Sequence, residues 1–481
     1  MRLGRLVTTQ QAGRDLTLRK PIRRQTVNLV PTKEPCQAQF AIQWPAASIP
    51  RLRKPWNACF SPKTLRCRCF DSCWPSASGD SNLSLNPLVS PSLLLKVKGI
   101  RQSAHSETSC VTVSSMHRTQ IIPQLPREAK VLFIRLRSLG DTILSTPLFA
   151  ALKNHRPDLR LSVLVEEPNQ EVLFGNPDIE SVFLLPPTTA QGFSVITARA
   201  TELAKIRAKG FHCCINLHGG TTGAWFTWLS RARHRVGLSS FRNSFCYNVR
   251  IDLPSRQAGT KQHTVEYQIE WLRALGLPSG EIPSLRIFPD PALEPKIKDR
   301  LEQYGVQRDT GYCVIQPTSK FHTKEWTPSG FAEIAEYLET EAGYRVILTG
   351  GTGEKQKLEQ VAAKCRTRPV ILATSSISEL VWVIKEAKLF VGNDSGPTHL
   401  AAALNVPTIV LFGSSDSKVW YPWKVAHQLV QNPFHCNPCP GYRCLVYTEP
   451  LCILSISPQQ VKQAIERLLP AHKNRSGNHP N

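Results

Sequence analysis

The sequence predicts an α/β protein made of two Rossmann-like domains with a cleft between them, and three observations carry that prediction. Short apolar runs bounded by charge or turn residues recur from Lys130 onward, the form of strands buried in a parallel sheet. Segments with helical apolar spacing lie between them. The alternation pauses at residues 278–310, a connection rich in Pro and charge, and then restarts, so the folded body falls into two blocks of one kind.

In the first block KVLFIR is a buried strand, SLGD breaks it, and TILSTPLFAALKNH follows at helical spacing. LRLSVLVE (159–166) and IESVFLLP (179–186) are the next strands. The helix former ITARATELAKIRAKG then leads into FHCCINLHGG (211–220), a strand ending on Gly-Gly. RHRVGL adds a strand and TVEYQIEWLRALGL an amphipathic helix. The second block starts with GYCVIQPTS as a strand and PSGFAEIAEYLETEAG as a helix. YRVILTGG, GEKQKLEQVAAKC, PVILATSS, ISELVWVIKEAK, LFVGND, GPTHLAAALN and PTIVLFGSS keep the same beat. A last amphipathic helix, SPQQVKQAIERLLPAHK, opens on Ser-Pro, a good start signal. These elements set domain boundaries at 128–290 and 308–472.

Length and composition fit that plan. A chain of 481 residues has room for two or three domains and a sizeable core. No apolar run approaches the ~18–20 residues of a membrane-spanning helix. The formal charge of +23 points to nucleic acid or an anionic surface, but it is uneven. Residues 1–115 hold 17 Lys or Arg against 5 Asp or Glu, so they supply +12 of it. That segment lacks hydrophobic periodicity and the apolar core of a secretory signal, and it carries six of the 15 Cys without repeated spacing. Its Arg- and Ser-rich, acid-poor make-up admits a transit peptide or a basic arm. The second of only two methionines, Met116, stands just ahead of the first strand. Residues 1–127 are therefore expected to be a disordered or mis-assigned extension, with translation starting at Met116 and residues 1–115 being mis-assigned upstream sequence.

Three polar knots fall at strand ends, where ligands sit in open parallel sheets. The first is SLGD (138–141), in which Gly140 permits a tight turn and Asp141 stands at a helix start. Asp141 reads either as an N-cap or as a functional carboxylate. The second is PTSKFHTKEWTP (317–328), where Lys320, His322 and Lys324 crowd a short loop. It is either a solvated charged loop or a phosphate site, since each lysine is a mobile point charge with three donors. The third is Asn393-Asp394-Ser395-Gly396, followed by Pro397 in the first turn of a helix and His399 one turn in. Free N–H groups at such a start favour an anion by roughly 0.3–2 kcal/mol, and Gly396 lets a phosphate approach the backbone. A cap explains Asp394 or Ser395 but not Gly, Pro and His together. Neither GxGxxG nor GxxxxGK[ST] is present, which disfavours nicotinamide chemistry and P-loop hydrolysis.

IRLRSLGDTILSTPLFAAL (134–152) and FVGNDSGPTHLAAALNVPTIVLFG (390–413), with Lys324-Glu325-Trp326 between them, resemble the bacterial heptosyltransferases, the ADP-heptose:lipopolysaccharide enzymes of glycosyltransferase family 9. The resemblance covers essentially 128–470. It implies a GT-B fold, with donor nucleotide on the C-terminal domain and acceptor on the N-terminal one. It also implies inverting transfer of a heptose or related sugar from an ADP-sugar to a lipopolysaccharide core or related glycan, with no metal and no cofactor. Carried over by motif, Asp141 matches the general base that takes the acceptor proton, and Lys324 matches a lysine on the donor phosphates. Asp394, Ser395, Gly396 and His399 match the segment holding diphosphate and sugar. Glu354 sits where a ribose-binding carboxylate is placed, and Arg135 and Arg137 support the first loop or an anionic acceptor. Two departures stand out: FGSSDS replaces the more usual FG-Pro-Thr, and Asn216 stands where Asp is common.

Cys436, Cys439, Cys444 and Cys452 have the spacing C-x2-C-x4-C-x7-C, which suits either a structural Zn²⁺ or iron–sulfur site or unligated thiols. The family resemblance places the enzyme in the cytoplasm, peripheral on the inner face of the inner membrane, where it would meet a lipid-linked glycan acceptor; nucleic acid is not an expected partner. Two other classes stay open at this level: a nucleotide-sugar epimerase on the same fold, and a non-catalytic basic protein of membrane surfaces or nucleic acid.

Overall fold

A computed structural model describes residues 120–253, 261–306, 311–439 and 442–469. The expectation for the basic N-terminal segment lies outside the described residues up to 119. Residues 121–124 form one short helical turn, with Ile121 and Ile122 buried and their N–H groups donated to the Leu275 carbonyl, so the packed body already begins ahead of residue 128.

The first block supplies six strands: β1 (Lys130–Ile134), β2 (Arg160–Glu166), β3 (Ser181–Leu185), β4 (Cys213–Asn216), β5 (His234–Leu238) and β6 (Val249–Ile251). The second supplies β7 (Tyr312–Gln316), β8 (Arg345–Gly351), β9 (Val370–Thr374), β10 (Leu389–Asn393), β11 (Thr408–Leu411) and β12 (His427–Val430). Each set makes one sheet with parallel pairing throughout, in the orders β3-β2-β1-β4-β5-β6 and β12-β11-β10-β7-β8-β9. Counted from its own first strand, the second sheet repeats the order 3-2-1-4-5-6 of the first. The α/β architecture of two doubly wound sheets follows the expectation from the sequence.

Burial on both faces explains why the strands read as apolar runs: β7 and β10 are buried at every position. One hydrophobic cluster runs through both halves, joining Val131, Phe133 and Phe149 to Val314, Phe390 and Leu400. Separate clusters fill the far faces, around Trp326 and Phe331 in the second half and around Leu132 and Phe183 in the first. Polar contacts also cross the seam. Trp423 Nε1 donates to the Pro283 carbonyl at 3.0 Å, and the Ser378 amide donates to Glu171 at 2.8 Å.

Several local expectations need correction. The helix read as one run over 142–155 is two, Leu139–Ile143 and Thr146–His155. Pro147 sits in the first turn of the second, which separates the two without breaking either. The connection 278–310 contains a helix, Glu294–Gln303, whose Ile297 and Leu301 are buried one turn apart. Strands β6 and β12 and the helix Thr221–Leu229 were not anticipated.

Candidate active site

The two opening motifs meet. SLGD follows β1 and NDSG closes β10, and in these strand orders both lie at a switch point, β1 beside β4 and β10 beside β7. Such a point, where the crossovers leave in opposite directions, is where open parallel sheets generally place a ligand. The helices that follow, Leu139–Ile143 and Gly396–Ala403, pack against one another with glycine at the contact. A Cβ on Gly140 would lie 2.8 Å from His399 Cδ2, and one on Gly396 would lie 2.9 Å from the Leu139 side chain. Glycine is therefore needed at both positions for the close approach of the helices, beyond any need of a turn.

On the first domain Asp141 is not the N-cap of its helix. Ser138 holds that place, and Asp141 is the third helical residue. Its Oδ2 accepts from the Ser138 amide at 3.3 Å and from the Ser138 hydroxyl at 3.2 Å, a capping box that fixes the side chain. The other oxygen lies 3.7 Å from a guanidinium nitrogen of Arg135. Arg135 is buried and also donates to the Ser145 hydroxyl, which donates in turn to Gln268. Burial pushes the Arg135 pKa down, and the Asp141 charge pushes it back up. Arg137 turns away and lies 3.8 Å from Glu166, a buried carboxylate that also accepts from Thr188.

On the second domain Lys324 Nζ donates to Asp394 Oδ2 at 2.7 Å, and the Asp394 side chain is only 6% exposed. Asn393 places this pair: its Oδ1 accepts from the Trp326 amide and its Nδ2 donates to the Pro317 carbonyl, which draws both ends of the charged loop onto β10. Trp326 is buried below the loop and donates its indole N–H to Ile456. Ser395 donates to Gln316 at 3.3 Å and makes no cap bond with its side chain. His399, in the same helix start, is also buried. Its Nδ1 is buried without a hydrogen-bond partner. Burial pulls its pKa below the usual histidine value, against the raising influence of Asp394 and Asp141. These charges act on one ring, so Asp141, Lys324, Asp394 and His399 form one cluster drawn from both domains.

Other expected residues lie apart. Glu354 turns back on its own loop and accepts from the Gly351 amide at 2.8 Å. His322 pairs with Glu449 at 2.8 Å rather than facing Asp394, and Lys320 is exposed. The four cysteines line one small cavity with Thr323 and Ser414, all as free thiols. Burial pushes the Cys452 thiol up, and the neighbouring Cys439, Cys436 and Cys444 push it further. Among the described residues no group of three or more His, Cys, Asp or Glu side chains is placed to hold a metal ion.

The structure adds residues that sequence reasoning passed over. His218, after β4, feels Asp141 and both arginines, and burial first and then those arginines lower its pKa. Asn216 accepts from the His218 amide and donates to the Tyr247 hydroxyl at 2.8 Å. An amide meets both demands at once, which gives this departure from the usual Asp a structural role. Gln316 closes β7 beneath Ser395. The place of Gln316 and Asn216 at strand ends was the available signal.

Comparison with known proteins agrees with this geometry. The profile of glycosyltransferase family 9 (heptosyltransferase) matches residues 201–448. Lipopolysaccharide heptosyltransferase 3 of Escherichia coli is 30% identical over 299 residues, covering 60% of this chain and 84% of that protein. Lipopolysaccharide heptosyltransferase 1 of Pseudomonas aeruginosa is 24% identical over 366 residues, 71% of this chain and 98% of the relative. Among solved structures, a family 9 glycosyl transferase from Veillonella parvula superposes with a TM-score of 0.62 at 22% identity, over 73% of this chain and 99% of that one. The E. coli heptosyltransferase WaaC with ADP gives 0.54 at 21% identity, over 71% and 100%. At these identities the structural likeness establishes the fold.

Proposed function

This chain belongs to glycosyltransferase family 9, and from that premise we propose that it transfers a heptose from an ADP-sugar, with inversion, to a lipopolysaccharide core or related glycan. The observation that carries this reading is the convergence on the His399 ring of Asp141 from one domain and the Lys324–Asp394 pair from the other, across the packed helix starts. We assign the acceptor to the domain spanning 128–290 and the donor to the one spanning 308–472.

In a single displacement the acceptor oxygen attacks the anomeric carbon as the bond to the diphosphate oxygen breaks. The acceptor proton goes to the Asp141 carboxylate, and the bonding pair leaves with the nucleoside diphosphate. Asp141 suits the role of base because the Ser138 capping bonds fix its direction, with the Arg135 guanidinium 3.7 Å from its other oxygen. Lys324 and the free N–H groups at the start of Gly396–Ala403 face the charge developing on the leaving group, so no metal is required in this scheme. Asp394, itself an anion, does not contact phosphate in it; it holds Lys324 in place. Neutral His399 fills the contact between the helices, with its buried Nδ1 left unpartnered. Glu354 contacts the ribose only if its loop opens. A lipid-linked acceptor places the enzyme at the inner face of the inner membrane.

The test is Asp141→Asn, which keeps an oxygen for the capping box and removes the base. Transfer is expected to fall about 10²–10⁴-fold, while binding of the ADP-sugar, read by calorimetry, stays intact. Near-normal turnover would refute the assignment. Incubating the donor without acceptor tests the epimerase alternative: conversion of the sugar nucleotide alone would favour it.

A further inference from the structure

An aromatic cluster on the first domain has no part in the chemistry above. The helix Thr221–Leu229 buries Ala224, Phe226 and Thr227 and leaves Trp225 and Trp228 42% and 46% exposed. Phe245, 62% exposed, stands on the short turn Ser244–Cys246 beside them. The three rings form one patch, with Trp225 5.5 Å from Trp228 and 6.1 Å from Phe245. Three large rings, joined through Trp225 and open to solvent, are a surface feature that asks for a partner.

The charge around them is of one sign. Residues 203–251 contain eight Lys or Arg and no Asp or Glu. Arg250 donates to the Ser244 carbonyl and Arg235 to the Cys246 carbonyl, so both guanidinium groups bracket the turn that carries Phe245. Arg231, Arg233 and Arg242 are exposed on the flanking segments. Tryptophan and phenylalanine flanked along the chain by arginine complement the boundary of an anionic bilayer: the rings sit at headgroup depth and the cations meet phosphate.

We infer that the Trp225–Trp228–Phe245 face docks this protein on an anionic membrane surface. The patch is joined rigidly to the cleft. Its helix begins three residues after His218, whose ring feels Asp141, and Asn216 bonds Tyr247 two residues beyond Phe245. A nine-residue helix is about 13 Å long, so the docked face sits close to the base. This arrangement rests on the proposed lipid-linked acceptor for its purpose, since it brings a membrane-borne glycan to Asp141.

Flotation of the full chain with vesicles tests the inference, comparing phosphatidylcholine alone with phosphatidylcholine mixed with phosphatidylglycerol. Binding is expected to the mixed vesicles only. Trp225→Ser/Trp228→Ser should weaken it about tenfold, and Arg242→Glu about fivefold, with the arginine effect erased at high salt. Phe245→Ser, a change at a largely exposed position, should weaken it in the same sense without touching the fold, which thermal melting checks. Residues 1–115 carry the same charge in every variant, so only the difference between variants reads the patch. The inference is overturned if wild type ignores the mixed vesicles, or if the Trp and Phe variants float as wild type does. It is equally overturned if the variants lose self-association in solution with flotation unchanged, which would make a second copy the occupant. Flotation involves no transfer chemistry. Its failure with transfer intact removes the docking face alone, and absence of transfer with flotation intact removes the proposed activity alone.

Discussion

Gly140→Ala tests whether the contact between the two helix starts sets the catalytic geometry. The added methyl would lie 2.8 Å from His399 Cδ2 and 3.6 Å from Gly396 Cα. His399 is 3% exposed, so its ring has no solvent to move into. Two terms oppose one another in stability. Alanine in place of glycine favours the helix by about 0.5–1 kcal/mol, and overpacking a closed contact costs about 1–3 kcal/mol. The net loss is about 0–2.5 kcal/mol, small enough for the protein to stay folded. Catalysis should suffer more. Relief of the clash moves Asp141 away from the Lys324–Asp394 pair by a fraction of an ångström or more, and a 1 Å misplacement costs on the order of 10²-fold. Steady-state kinetics should show kcat down about 10–100-fold with donor KM little changed, and denaturant unfolding should report the modest stability loss. Gly396→Ala presses on Leu139 across the same contact, so the two substitutions should be non-additive. Wild-type kcat and stability in Gly140→Ala would refute the view that this spacing is held during turnover.

Two further outcomes follow from the same cluster. Lys324→Met should lower kcat about 10²–10³-fold and also destabilise the fold by about 3–5 kcal/mol, because Asp394 is left buried without its partner; adding Asp394→Asn should restore stability, read by thermal melting, and leave turnover low. For His399 the folded pKa lies below the unfolded value of about 6.5. The unfolded chain therefore takes up a proton first as pH falls, so the stability associated with His399 is level above about pH 6.5 and declines below it, by up to about 1.4 kcal/mol per pH unit. Denaturation series across pH 5–8 should show a shallower decline in His399→Gln, and an unchanged slope would count against this account.

Much of the fold could be read from single residues and their periods. β1, β7 and β10 are apolar runs because both faces of a parallel sheet are covered, and that pattern survives in one dimension. The elements that escaped were those whose signal is weak or mixed. β12 is HQLV, a polar edge strand paired on one side only. The helix TTGAWFTWL has apolar residues all round, since one side packs and the other presents tryptophan outward, so no period emerged. The helix Glu294–Gln303 was hidden by proline and charge, although Pro295 marks its first turn and Ile297 and Leu301 are one turn apart.

For the site, the order of residues along the chain sets which residue types stand at which strand ends: Asp141 after the first strand, Lys324 in a charged loop, and Asp394 through His399 at a glycine- and proline-led helix start. Those are local facts, set by turn chemistry and helix capping within a few residues of each other. What each one faces is fixed by packing between distant parts of the chain. It paired Lys324 with Asp394 across 70 residues, sent Arg137 to Glu166 and His322 to Glu449, folded Glu354 onto its own turn, and buried His399 under Gly140. Partner choice depends on strand order and on how closely two helices approach, and contacts between residues far apart in the chain leave no period along it.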